Sequence, residues 1–290
     1  LYCLGFLFPF SALATDFVPY EWEADRTRTK LSKEDQTLTE LVIKNHVQYD
    51  YILEDNDFLM YSTIHRIILV NNNEAIQKHN RIVISMNNTI DLVEIKARSI
   101  NKDGKVVRFD KSNIKELKDE ESGSAYRIFA IEGIELGSEV EYYFIRKMRS
   151  SLFQRAVMQM DVPVKSASFT LTCPKHLKFD FKSYFGFPPV KEEAGDAVNA
   201  YTTLMSNVPA MKKEEFSYYE ANLKRIEFKL AYNTARSQAR LYTWDDAAKT
   251  FYGVLSKLEK DDEKAVDRFV KTLDDKGSLP MAARIKNIER

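Results

Sequence analysis

The chain has 290 residues, 44% of them hydrophobic and 12% aromatic, which is enough for two ordinary domains with a β-rich core and carries no signature of disorder. Lys plus Arg and Asp plus Glu are equal at 43 each, so the formal net charge is zero. Nucleic-acid binding, which needs a basic face, finds no support in these totals.

The first stretch, "LYCLGFLFPFSALA", holds no charge and ends in Ala12-Leu13-Ala14, the small-x-small pattern that signal peptidase accepts. It is shorter than the roughly 20 residues needed to span a bilayer. Residues 1–14 are therefore expected to be a signal peptide truncated at its start, with Cys3 ahead of the apolar centre and not at a lipid-attachment point. A mature chain from Thr15 keeps one cysteine, Cys173, which cannot form an internal disulfide. Export with so little cysteine fits the periplasm or cell surface of a Gram-negative bacterium. No transmembrane segment is expected in the mature chain. The sequon Asn87-Asn88-Thr89 matters only in a glycosylating host.

From about Thr39 to Tyr232 short β-type runs alternate with turn residues. "TELVIKNHVQYDYILE" leads through Asp55-Asn56-Asp57 into "FLMYSTIHRIILV", which stops at Asn71-Asn72-Asn73. "RIVISM" and "LVEIKARSI" follow, and the turn Asp103-Gly104 connects the latter to "KVVRF". Asp-Gly between two alternating runs is a hairpin signal. A phosphate-cradling loop would want several glycines and a following helix, so the lysines and arginines around this turn are expected to ring a hairpin tip. After the polar "KDEESGS", the strand around "EVEYYFI" sets Val140, Tyr142 and Phe144 on an apolar face and Glu141, Tyr143 and Ile145 on a mixed one. "MDVPVKSASFTLTCP" puts Phe169, Leu171 and Cys173 on one side. "KFDFKSYF", "AYTTLMSNVPAM" and "NLKRIEFKLAY" continue the pattern, and "PPVKEEAGDAVN" between them reads as a mobile loop.

Near Tyr242 the period changes. Thr243 can cap a helix opening at Trp244-Asp245-Asp246, with Ala247, Ala248, Phe251, Tyr252, Leu255 and Leu258 at helical spacing. A second amphipathic helix is expected from Glu263 to Leu273, with Val266, Phe269, Val270 and Leu273 inward, and a third from about Pro280. The fold class is thus mainly β: β-sandwich-like modules over 15–161 and 162–240, with one continuous β unit as the alternative, then a helical segment over 241–290.

The residues that can carry chemistry are few. Cys173 and His176 bring a thiol and an imidazole close in sequence, but a core cysteine at a strand end with His176 in the following turn explains them, and a metal site needs a second Cys or His pair. His46, His65 and His79 lie in or beside β segments, where each is expected at the surface or hydrogen-bonded in place of a shared zinc. Glu132, Glu135, Glu139 and Glu141 could do general acid–base work if one were buried. The glycines among them favour a solvated acidic edge. No catalytic, cofactor-binding or metal-ligating residue is assigned, and no cofactor.

Three segments, "KARSINKDGKVVRFDKSNIKE", "YRIFAIEGIELGSEVEYYF" and "TWDDAAKTFY", together resemble in this order the exported bacterial domain of unknown function found just before transglutaminase-like domains. The resemblance runs from about Leu41 to Tyr252. It rests on the Asp-Gly hairpin, the Gly137-Ser138-Glu139 turn, Pro163 and the helix-opening Trp244. It implies that 241–290 approaches a transglutaminase-like domain whose Cys-His-Asp triad would lie beyond Arg290, and that this segment is not an enzyme but a β module positioning or gating its neighbour at the cell envelope. Two other functions stay open. One is a stand-alone module binding glycan, peptidoglycan or a partner protein through exposed aromatics such as Tyr142 or Tyr143. The other is a hydrolase using Cys173 and His176.

Overall fold

The computed structural model describes residues 17, 20–54, 57–119, 123–257, 259–273 and 279–288. The signal peptide expected at 1–14 and Leu258 lie outside the described residues. Leu1–Ala239 and Arg240–Arg290 form two compact units.

The first unit is mainly β. Its first half holds β1 (Glu40–Glu54), β2 (Asp57–Val70), α1 (Asn73–His79), β3 (Arg81–Ser85), β4 (Thr89–Ile100), β5 (Val106–Arg108), β6 (Lys115–Lys118) and β7 (Ala125–Ala130). Its second half holds β8 (Ser138–Arg149), β9 (Phe153–Val157), β10 (Val164–Pro174), β11 (Leu177–Tyr184), β12 (Lys191–Ala194), β13 (Val198–Val208), α2 (Tyr219–Asn222) and β14 (Arg225–Asn233). Eight strands make one sheet in the order β12-β13-β10-β1-β2-β8-β4-β5, beside two three-stranded sheets, β11-β14-β9 and β3-β7-β6. The large sheet runs across Asp161. β1 is flanked by β2, its antiparallel hairpin partner, and by β10, which pairs with it in parallel from Val42↔Val164 to Asp50↔Thr172.

The two faces of this sheet are buried in different ways. On one, Tyr49, Phe169 and Leu171 alternate inward, and the β11-β14-β9 sheet lies over them. Phe228 of β14 meets Tyr49 at 5.3 Å and Phe169 at 5.6 Å between ring centroids, and Phe179 of β11 meets Tyr51 at 4.8 Å. This aromatic layer makes a sandwich at the β10 end. On the other face, Ile52, Leu59, Tyr61, Tyr143 and Ile145 form one cluster and Leu41, Ile43, Ile67 and Leu69 another. The cover there is irregular chain: Phe17, Tyr20 and Trp22 pack on the first cluster and Leu31 and Leu38 on the second. We refer to residues 20–39 as the strap.

The Asp103-Gly104 stretch is the hairpin tip expected. Gly104 takes φ +86° and its N–H donates to Asn101 O at 3.0 Å, while Asp103 Oδ1 accepts from Lys105 N at 3.1 Å. A left-handed residue is what Gly supplies without strain. One reading is corrected. The stretch expected as a mobile loop contains β12, which pairs with β13 from Lys191↔Thr202 to Ala194↔Asn199. Its Lys-Glu-Glu-Ala sequence lacks β-formers because it is an exposed sheet edge, where charge discourages pairing with another chain. The Asn71-Asn72-Asn73 stop is also a start: Asn72 caps α1, its Oδ1 accepting from Ala75 N at 2.7 Å.

The second unit is helical, with α3 (Trp244–Leu255), α4 (Lys260–Leu273) and α5 (Met281–Ile288). Thr243 caps α3 as expected, and reciprocally: Thr243 Oγ1 accepts from Asp246 N, and Asp246 Oδ2 accepts from Thr243 N at 2.9 Å. Of the stripes expected to pack, Phe251, Tyr252, Leu255, Val266, Phe269 and Val270 are exposed instead, and the side chain of Leu273 lies outside those described. Trp244 is 92% exposed, Leu255 80%, Phe251 67% and Phe269 59%.

Candidate functional site

Under the strap lies a cluster of buried charged side chains. The alternation of β2, β8 and β4 sends His65, Glu141 and Arg98 to the same face, and register sets Arg98 directly opposite Glu141. Glu139 is 0% exposed and Glu141 and Arg98 each 1%. Glu141 Oε2 accepts from Arg98 Nε at 2.6 Å and from Arg26 Nε at 2.8 Å, and its Oε1 accepts from His65 Nε2 at 2.9 Å. Glu139 accepts from Arg26 Nη1 at 2.8 Å, Thr29 N at 2.9 Å and Thr29 Oγ1 at 3.2 Å. Two carboxylates thus meet two guanidiniums, one from the sheet and one from the strap. Arg98 also donates to the strap's backbone, to Ala24 O and Glu23 O at 2.7 Å each, and lies 4.3 Å from the Trp22 ring.

Burial alone would raise the Glu141 carboxyl. Hydrogen bonds from His65 and Arg98 and the charge of Arg26 outweigh it and bring the pKa down to about 2. Burial opposes the charge on Arg26 as well, but Glu141 and Glu139 hold its pKa above the usual value. His65 is pushed down by burial, so at neutral pH it is an uncharged ring that donates from Nε2 and accepts at Nδ1 from Tyr20 Oη, 2.9 Å away. Lys44 Nζ donates to the same Tyr20 oxygen at 3.2 Å. With each carboxylate accepting three hydrogen bonds, this arrangement holds the strap; it leaves no base poised for proton abstraction.

A second polar ladder continues across the same face onto β10. His46, directly opposite His65 in register, meets Ser168 Oγ through Nδ1 at 2.8 Å and Gln48 Oε1 through Nε2 at 3.2 Å. Gln48 Nε2 donates to both Asp50 oxygens, at 3.0 and 2.9 Å, and Thr172 Oγ1 donates to Asp50 Oδ1 at 2.6 Å. The Gln48 carbonyl fixes the proton on His46 Nε2, leaving Nδ1 to accept from Ser168. Burial pushes His46 down to about 4. A serine on a neutral histidine has the outline of a nucleophile and base, but the backbone N–H groups beside it are spent on the strand ladder, so no donor pair faces a developing oxyanion.

The other sequence candidates fall apart in space. Cys173 is 1% exposed, its Sγ donates to Leu177 O at 3.5 Å, and burial pushes the thiol up to about 12. That is an inert core thiol, not a thiolate nucleophile. His79 Nε2 meets Glu40 Oε1 at 2.7 Å, so His46, His65 and His79 each bond a different partner. Among the described residues no group of three or more His, Cys, Asp and Glu is arranged to hold a metal ion. The solvated acidic edge is corrected in half: Glu132 and Glu135 are exposed, whereas Glu139 and Glu141 are buried on Arg26 and Arg98. Tyr142 and Tyr143, offered as exposed aromatics, are 5% and 0% exposed and belong to the core. The strap residues Tyr20, Trp22 and Arg26 went unread. The one signal for them was a row of carboxylates and an arginine on otherwise apolar strands.

Architecture and site together define a mainly β module whose large sheet is closed on one face by an N-terminal strap. A family model described as a domain of unknown function with a solved structure (DUF3857) matches residues 56–212. That span is more than half of the chain, and the chain belongs to this family. The matched span contains His65, Arg98, Glu139 and Glu141 and omits the strap and β1. No curated protein matches the chain. In structure it is similar to a "putative protease" from Parabacteroides distasonis ATCC 8503, with a TM-score of 0.60 at 17% identity over 87% of this chain and 49% of that one. The likeness is one of fold, and this chain spans about half the length of that protein. An M1 zinc metallopeptidase from Deinococcus radiodurans, solved with a Tyr-Ser-Ala substrate, aligns at a TM-score of 0.34 and 10% identity over 68% of this chain and 45% of that one. Among the described residues no helix is long and apolar enough to cross a membrane.

Proposed function

We propose that this chain is a non-catalytic β module of an exported, transglutaminase-like protein, positioning or gating a downstream domain at the bacterial cell envelope. The observation that carries the reading is the commitment of both buried carboxylates under the strap. Every buried carboxylate there is spent on Arg26, Arg98, His65 or Thr29, so these carboxylates do structural work. The inert thiol of Cys173 argues against the hydrolase alternative. The fold match to a protein about twice as long supports a module within a larger polypeptide, and the solvent-facing stripes of α3 and α4 give such a neighbour a surface to pack on.

Peptidase and transglutaminase assays on the purified 290-residue chain test this, with Cys173→Ala and Ser168→Ala alongside. The expected result is no turnover by any of the three. Turnover by the parent chain that either substitution abolishes would overturn the non-catalytic reading.

A further inference from the structure

Three surface cavities of about 450, 310 and 540 Å³ adjoin along the edge of the strap. The first shares Ala24 and Arg108 with the second and Arg28 and Lys102 with the third, so they lie in a row and together make a grooved surface with the first in the middle. Its lining is strongly one-sided in charge. Arg28, Lys30, Lys102, Arg108 and Lys111 line it, and the carboxylates among its lining residues are Asp25 and Asp103. Arg26 and Arg98 also border it but are committed to Glu139 and Glu141, Lys96 is paired with Glu94 at 2.8 Å, and Arg28 Nε lies 4.0 Å from Glu139. Since the chain as a whole is neutral, this excess is local. The nearest acid to Arg108 is Asp25, at 3.7 Å and almost wholly exposed, a contact that water screens.

The geometry points to an anion-binding groove for a carboxylate-bearing polysaccharide. Three features favour that class. The cations are strung along a groove instead of converging on one point, which suits a polymer with repeated charges and not a single small anion. The cavity at one end is walled by Trp22 and Phe109 with Ile95 and Ala97, an apolar wall of the kind that accepts the C–H face of a sugar ring. The wall is also rigid: Trp22 is held against Arg98, Phe109 meets Phe129 at 4.5 Å, and Arg28 Nη2 donates to Gly137 O at 2.9 Å. Binding therefore orders little that is not already ordered. The Asp103-Gly104 hairpin tip, set aside as a ligand loop on sequence, forms part of one rim.

This inference does not depend on the proposed module role, because a catalytically silent module with an empty groove and one with a filled groove are distinguishable. The test is a titration of the whole chain carrying Trp244→Phe, which leaves Trp22 as the fluorophore, with polygalacturonate, neutral pullulan and poly-glutamate. Polygalacturonate is expected to change Trp22 emission saturably, and added salt to weaken binding. The double variant Lys102→Glu/Arg108→Glu, both positions being exposed, is expected to keep the parent melting temperature and to bind roughly tenfold more weakly or worse. No binding, binding that this variant leaves unchanged, or equal binding of pullulan overturns the groove. Poly-glutamate binding as tightly as polygalacturonate overturns the sugar assignment in favour of an acidic peptide.

Discussion

Glu141 draws its hydrogen bonds from Arg98, His65 and Arg26, which lie 43, 76 and 115 positions away along the chain. Removing its charge leaves two guanidiniums facing one carboxylate in a dry site. Glu141→Gln is expected to cost about 3–5 kcal/mol, the range for breaking one side of a buried pair, read as a lower urea midpoint at unchanged slope. A loss under about 1 kcal/mol, typical of exposed pairs, would show that water reaches the network. The same groups set the acid limit of the fold. The pKa of His46 falls from 6.5 to about 4 on folding, so its contribution is complete above about pH 6.5 and is lost as the pH drops toward 4. Glu141 is depressed from 4.5 to about 2, so its contribution is complete above about pH 4.5 and is lost as the pH falls toward 2. Each shift corresponds to roughly 3 kcal/mol. Stability measured against pH should therefore fall in two successive limbs, and His46→Asn should make the upper one shallower and leave the lower one unchanged, with His65 supplying what remains of the upper limb. A variant curve parallel to the parent's from pH 6.5 to 4 would remove His46 from this account.

Turns separate into those that need a glycine for conformation alone and those that also need the space. Gly104 has φ +86° and nothing within 4 Å of where a Cβ would sit; Gly133 has φ +69°, and a Cβ there would meet Val107 Cγ2 at 2.6 Å. Gly104→Ala should cost about 1 kcal/mol from the left-handed backbone, and Gly133→Ala distinctly more, because a valine is stiff at χ1. Melting temperatures in the reverse order would refute the assignment of the clash. The Asp103-Gly104 hairpin, the inward alternation of Phe169, Leu171 and Cys173 and the Thr243 cap were all legible in sequence, because each is a local pattern with one physical meaning. The burial of Glu139 and Glu141 was not, because Arg26 and Arg98 are remote and a charged residue beside a glycine reads as solvated. β12 escaped for a related reason: an edge strand is specified by its neighbour β13, and its own residues are chosen to resist pairing.

At the scale of the whole chain, the helices of the second unit expose the apolar side chains Trp244, Phe251, Leu255 and Phe269. α3 and α4, of 12 and 14 residues, are in the range that is marginal without packing. Amides of residues 281–288 are expected to exchange with solvent far faster than those of Glu141–Ile145, which lie mid-sheet with both neighbours paired. Equal protection in the two stretches would mean that the helices are held by something other than one another.

The parallel ladder between β1 and β10 has a consequence for the order of assembly. Val42 must wait for Val164, about 120 residues later, which at 5–20 residues per second is a delay of roughly 6–25 s in a growing chain. Through that interval β1 can zip to β2 as a hairpin, yet its other edge offers an open row of N–H and C=O groups with Val47, Tyr49 and Tyr51 beside it. A chain ended at Asp161 makes that transient state permanent. It should accumulate as β-rich aggregates that bind thioflavin, whereas a chain ended at Ala239 should stay monomeric. A soluble, monomeric 1–161 fragment would show that the nascent β1 edge is shielded without its partner.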